Sequence, residues 1–156
     1  MEKSYLFNPF TIMNEGTDKL KLEYVRILDS IIDDEDNPFV IASNIERYAN
    51  MYVIIGEMIA RYKRVVDDLK QSIKAQEVTQ VYKQRNTWIS TNDGKPPAMS
   101  YFEAMAYDQV KDQYKELNGA AENLTRFKNA WESTETKINA LKKKYEAKKY
   151  ELKIDG

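Results

Sequence analysis

Nine positions, Ile45, Tyr48, Tyr52, Ile55, Ile59, Tyr62, Val66, Leu69 and Ile73, follow one another at alternating spacings of three and four residues without a break. Every one is apolar or tyrosine. That is a heptad repeat with both seam positions filled over about four heptads. A helix over residues 38–90 would run about 80 Å at 1.5 Å per residue, and the pattern leaves open whether it is continuous through Gly56. Beyond Ile73 the pattern drifts and resumes at Val78, Val81, Tyr82 and Trp88. Tyrosine at Tyr48, Tyr52 and Tyr62 is bulky and carries a hydroxyl that needs a partner, which favours a broad contact over a thin two-stranded coil. Val40, Ile41, Met51, Val53, Ile54, Met58 and Val65 widen the apolar face beyond the seam. A lone hairpin would leave such a face exposed, and large exposed apolar patches mark interfaces. The expectation is a homo-oligomer whose interface is Ile45, Tyr48, Tyr52, Ile55, Ile59, Tyr62, Val66 and Leu69.

The flanking residues place the other elements. Leu20, Tyr24, Ile27, Leu28 and Ile31 form one stripe, so a short helix is predicted at about 19–33. Asn37 before Pro38 suits an N-cap and first helical residue for the long helix. Ser43-x-x-Glu46 offers a second possible start as a capping box. Gly56 lowers helix propensity by roughly 1 kcal/mol relative to Ala and leaves room for a close helix contact. Residues 91–99, around Asn92, Asp93, Gly94, Pro96 and Pro97, read as a turn. Ser100-x-x-Glu103 is a capping box that opens a return helix of about 100–152. Its apolar positions are Val110, Tyr114, Leu117, Ala121 and Leu124, then, after a three-residue step that resembles a stammer, Phe127, Trp131, Thr134, Ile138, Leu141 and Tyr145. Asn118-Gly119 is an alternative site for a bend. Two long helices joined by a short polar loop pack antiparallel. The expected fold is therefore all-α: a long antiparallel, coiled-coil-like helical hairpin, with a short N-terminal helix and an irregular arm at 1–18 that docks elsewhere. Residues 19–156 read as a single helical domain.

The chemistry that the chain can carry is narrowed by what it lacks. It has no histidine and no cysteine, so the commonest general base, zinc ligands and thiolate nucleophiles are all missing. It has no glycine-rich phosphate loop and no G-x-S-x-G. The acids of the DDED run at 33–36 could hold Mg²⁺ or Ca²⁺, but their spacing is not that of an EF-hand, and a solvated acidic linker accounts for them. The expectation is a non-enzyme with no cofactor and no metal. No apolar run reaches the length of a membrane span and MEKSYLFNPF has no hydrophobic signal core, so a cytoplasmic location is expected.

Charge is high at 31% but nearly balanced, with a net of −1. Its distribution carries more information. Residues 29–36, DSIIDDED, are acidic, whereas seven lysines and only Glu146 and Glu151 occupy 137–153. The run Lys142-Lys143-Lys144, then Lys148-Lys149 and Lys153, winds around its helix and suits diffuse attraction. Arg61, Lys63, Arg64, Lys70, Lys74, Lys83 and Arg85 lie along the outgoing helix, interleaved with Tyr62, Tyr82 and Trp88. Cations for phosphates and aromatic faces for bases are the elements of single-stranded nucleic-acid binding. Tyr62 sits on the seam and reads as core. The candidate DNA-binding residues are Lys83, Arg85 and Trp88 near the hairpin tip, Lys95 in the turn, and Arg61 and Arg64 beside the seam. The alternative for Trp88 is that it closes the hairpin core beneath the turn.

At KQRNTWISTNDGKPP the chain resembles the UvsY-like recombination mediators of tailed phages. In that family a heptad-like helix ends in a Lys-x-Arg-x-x-aromatic-aromatic-Ser segment followed by a Gly/Asp-containing loop. Lys83, Arg85, Trp88 and Ser90 match it. Ile89 stands in place of a second aromatic and Thr91 in place of a common glycine. The resemblance covers roughly residues 40–150, chiefly as pattern. It implies a ring-like homo-oligomer that binds single-stranded DNA through Lys83 and Arg85. Such a protein helps to load a RecA-like recombinase onto strands covered by single-strand-binding protein, and has no catalytic activity. Ile89 makes base stacking the weaker part of that implication. Two other readings fit the same sequence. One is a helical protein–protein adaptor or inhibitor of a host protein, acting through the acidic segment 29–36 and the N-terminal arm. The other is a coiled-coil component of a virion.

Overall fold

The computed structural model describes Pro9, Phe10 and residues 19–155. The remainder of the arm at 1–18 lies outside the described residues. The fold is all-α: α1 (Lys19–Ser30), α2 (Pro38–Thr91) and α3 (Met99–Asp155), with no strand among the described residues. α2 and α3 are long helices of 54 and 57 residues. Both remain helical through their interior glycines, so α2 does not break at Gly56 and α3 does not break at Asn118-Gly119. The N-terminus of α2 is capped by Asn37, whose Oδ1 accepts the Phe39 N–H at 3.0 Å while its carbonyl accepts from Ile41. Ser43-x-x-Glu46 lies inside α2. At the other end of α2 the Trp88 carbonyl accepts both the Asn92 backbone N–H (2.9 Å) and its Nδ2 (3.1 Å). The chain then turns through Gly94 at φ 95°, a conformation open to glycine at little strain. α3 begins at Met99 with a Tyr101-to-Ala98 bond, so Ser100 falls inside its first turn and does not cap it.

The contacts divide the chain into two compact units where a single helical domain was expected: one built from the described residues up to Ala60 together with Thr125 onward, the other from Arg61–Leu124. On α3 the boundary falls at the three-residue step from Leu124 to Phe127.

In the first unit α1 and segments of α2 and α3 share one core. Tyr24, Ile27 and Leu28 from α1, Ile41, Tyr48, Met51, Ile55 and Met58 from α2, and Phe127, Ala130 and Leu141 from α3 are all buried. Phe10 is fully buried among them, its ring centroid 5.2 Å from that of Tyr24 and 5.0 Å from that of Phe127. Burial of such a side chain contributes about 1.5–3 kcal/mol. Tyr52 stacks on Trp131 at 4.6 Å. Asn44, buried in α2, holds the end of α1 with both faces of its amide: Nδ2 donates to the Ile32 carbonyl at 2.7 Å and Oδ1 accepts the Ile32 N–H at 3.3 Å.

Packing of both α1 and α3 on the first-unit part of α2 explains its wide apolar face. Ile41, Met51, Ile54 and Met58, which a two-helix hairpin would expose, are buried within the chain itself; Val53 and Val65 remain exposed. The same packing takes up the residues expected at an oligomer interface. Tyr48, Ile55, Tyr62 and Val66 are buried by the chain's own packing, and Ile45, Tyr52, Ile59 and Leu69 are half-buried. A seam consumed inside one chain does not argue for a second.

The second unit is a helical hairpin with antiparallel arms: Glu77 meets Tyr114, and Val81 meets Phe102 and Ala106. Past Ile73 the positions turned inward are Glu77, Val81, Gln84 and Trp88. Two successive steps of four, from Ile73 to Glu77 and on to Val81, interrupt the alternation of three and four before it resumes at Gln84 and Trp88, which locally unwinds a left-handed coil. Val78 and Tyr82, apolar by type, are thereby turned outward.

Candidate nucleic-acid interface

Charge in the second unit is divided between its two arms. Residues 61–91 carry seven cations (Arg61, Lys63, Arg64, Lys70, Lys74, Lys83, Arg85) against Asp67, Asp68 and Glu77, a net of +4. Residues 92–124 carry Lys95, Lys111 and Lys115 against Asp93, Glu103, Asp108, Asp112, Glu116 and Glu122, a net of −3. Nearly balanced overall charge conceals a basic α2 arm beside an acidic α3 arm. Tyr114, in α3, donates its hydroxyl to the Glu77 carboxylate, which engages one of the three acids. That hydrogen bond, followed by burial, pushes the Tyr114 hydroxyl above its ordinary range, so it stays protonated. Tyr107 lies beside Tyr114, ring centroids 5.3 Å apart.

At 100° per residue, spacings of four, seven and eleven keep side chains on one flank of a helix. Lys63, Lys70 and Lys74 stand at such spacings, as do Val78, Arg85 and Ile89, and Val78 follows Lys74 by four. They form one continuous flank of α2, with Tyr82 at its margin. Val78, Tyr82 and Ile89 are 51%, 58% and 46% exposed. Lys63, Arg64, Lys70, Lys74, Lys83 and Arg85 make no ion pair or hydrogen bond through their side chains among the described residues. Arg61 is exposed and has an interaction of its own.

The residues singled out from sequence are therefore distributed. Lys83 and Arg85, two positions apart, point about 200° from each other; Arg85 lies on the flank and is half-buried, while Lys83 is exposed on the opposite side. Trp88 is half-buried against Val81, Phe102 and Ala106. Its indole closes the hairpin core beneath the turn and is not an open stacking face. Arg64 is exposed, and so is Lys95 in the turn. The tight cluster of Lys83, Arg85 and Trp88 does not form, because one residue of it faces the core and the other two face apart. What forms instead is the longer flank from Lys63 to Ile89. Its signal was present in the spacing of Lys63, Lys70 and Lys74; the exposure of Tyr82, and of Tyr101 at 50% in α3, was not readable from composition.

Among the described residues no group of three or more Asp or Glu is arranged to hold a metal ion, and no helix is long and apolar enough to cross a membrane. The acidic segment at 33–36 has another role. Glu35 accepts from Lys137 at 2.6 Å and from Lys144 at 2.7 Å, and Asp36 pairs with Lys148 at 3.6 Å. The two lysine hydrogen bonds hold the Glu35 carboxyl below the ordinary carboxylate range. No family model, curated relative or solved structure matches the chain.

Proposed function

We propose that the chain is a non-enzymatic single-stranded-DNA-binding protein that contacts the strand through the Lys63-to-Ile89 flank of α2. The observation that carries this is the segregation of charge in the second unit: a helix arm of net +4 whose Lys63, Arg64, Lys70, Lys74, Lys83 and Arg85 have no acidic partner among the described residues. Tyr82 and Ile89 lie exposed on or beside the same flank. Each phosphate held by such a cation adds a salt-dependent increment to affinity, and Tyr82 offers a face on which a base can stack. The resemblance at residues 83–97 extends this to a mediator that helps a RecA-like recombinase displace single-strand-binding protein. A ring of copies now rests on that resemblance alone, since the apolar face that argued for assembly is covered within the chain.

The test is fluorescence anisotropy of labelled oligo-dT over a salt series. Wild type binds with an affinity that falls as salt rises. Lys70→Ala/Lys74→Ala/Arg85→Ala lowers the salt slope by about 2, at about 0.7 per lost phosphate contact. Lys83→Ala, on the far side, changes it by about 0.7 or less. Tyr82→Ala weakens binding by about 1–3 kcal/mol if a base stacks there. Absence of salt-sensitive binding by folded, helical protein rejects the proposal. That outcome favours the adaptor reading, which is supported by one observation: with Trp88 turned into the core, Val78, Tyr82 and Ile89 remain as an exposed apolar stripe suited to a protein partner.

A further inference from the structure

The first unit contains a second concentration of positive charge, and part of it is already occupied. Lys137, Lys144 and Lys148 recur at spacings of seven and four, so they form a single stripe on α3. All three are paired with the loop between α1 and α2: Glu35 bridges Lys137 and Lys144, and Asp36 reaches Lys148, which also pairs with Glu151 on its own helix at 3.5 Å. Lys142, Lys143, Lys149 and Lys153 carry no ion pair or hydrogen bond through their side chains among the described residues. Two carboxylates of the loop thus engage the three lysines that share a face, at charge-assisted hydrogen-bond distance in two of the three contacts.

We propose that the α1–α2 loop is an internal stand-in for nucleic-acid phosphates, and that the lysine stripe of α3 beneath it is a second site for single-stranded nucleic acid which the loop keeps closed. The charge chemistry is that of exchange. A carboxylate and a phosphate oxygen compete for the same ammonium groups, and the pairs are partly solvated, with lysine side chains 28–41% exposed. A strand that displaces Glu35 and Asp36 gains Lys137, Lys144 and Lys148 together with the uncovered Lys143 and Lys149 alongside. The neighbouring Asp33 and Asp34 make no ion pair among the described residues, so they are negative charge of the same loop that does not engage the stripe. The site lies in a different unit from the α2 flank and does not depend on it.

The experiment uses the full chain with Lys70→Ala/Lys74→Ala/Arg85→Ala as background, so that the α2 flank contributes little. Oligo-dT anisotropy is measured over a salt series with and without Glu35→Gln/Asp36→Asn. Opening the stripe should tighten binding about fivefold or more at low salt and steepen the salt slope by about 2, for three cations at about 0.7 each. Asp33→Asn/Asp34→Asn removes the same number of charges without freeing a lysine and should produce less than half of that change. Adding Lys137→Ala/Lys144→Ala/Lys148→Ala to the opened variant should abolish the gain. Unchanged affinity and slope on opening overturn the proposal. So does an equal effect of the Asp33/Asp34 pair, or a gain that survives loss of the three lysines. If circular dichroism shows that Glu35→Gln/Asp36→Asn has lost helix, Glu35→Gln alone is the readout, with about two-thirds of the slope change expected for two freed lysines and no change overturning it. Binding by the opened variant where wild type binds nothing would reject the α2 flank and leave this site standing.

Discussion

Adding one methyl group at each of three glycines should move stability in opposite directions. Gly119 sits in the interior of α3, and a Cβ built there meets nothing within 4 Å. Gly119→Ala therefore changes only the backbone: it removes the entropic penalty of glycine in a helix, about 1 kcal/mol. For a chain of this length that raises Tm by about 2–4 °C. At Gly56 the new Cβ would lie 3.7 Å from the Trp131 Nε1, an ordinary van der Waals contact, so Gly56→Ala should also stabilise, by about 0.5–1 kcal/mol. Gly94 is equally open, with nothing within 4 Å, but its φ is +95°. There an L side chain is strained, and Gly94→Ala should destabilise by about 1–2 kcal/mol. Thermal and urea unfolding followed by far-UV circular dichroism measures all three. Because the chain forms two compact units, Gly94 and Gly119 are scored on the transition of one unit and Gly56 on that of the other. A neutral or destabilising Gly119→Ala would refute the reasoning. It would mean that the chain leaves the helix at Asn118-Gly119, as the sequence alternative had it.

Asn44→Ala should destabilise the first unit by about 1–3 kcal/mol, because it strands the Ile32 N–H and carbonyl beside a buried position; urea denaturation reads it directly. The ionised Glu35 carboxylate is stabilising because its folded pKa is lowered by Lys137 and Lys144. Its contribution is full above the ordinary glutamate value of about 4.3 and disappears as pH falls through the lowered folded value. The Tm difference between wild type and Glu35→Gln should accordingly be constant near neutrality and close only in that acid window. A difference that persists unchanged below it would show that the lysine bonds are not the cause.

The α2 flank was half-legible. Lys63, Lys70, Lys74 and Arg85 are visible as charges at helical spacings, and near-neutral net charge did not hide them once the arms were counted separately. The role of Trp88 was not legible, because it depends on the two successive steps of four that interrupt the alternation of three and four after Ile73. A residue's side of the helix at that distance is set by accumulated rotation and by what α3 presents. The acidic loop was legible as charge and misread as an open surface. Its partners lie 102 and 109 residues away.

The sequence by itself determined that this chain is all-helical, where α2 stops, and that it has no histidine and no cysteine. Helix propensity, the Asn37 cap and the Gly94 turn act over a few residues, through hydrogen bonds and dihedral preferences that each segment carries with it. Only the tertiary structure decided what covers the wide face of α2, that Phe10 docks between Tyr24 and Phe127, and that Glu35 closes on Lys137 and Lys144. Apolar burial has no direction and any lysine can answer any carboxylate. Which partners meet is therefore decided by how the helices come together, and the local pattern records only that each of them needs one.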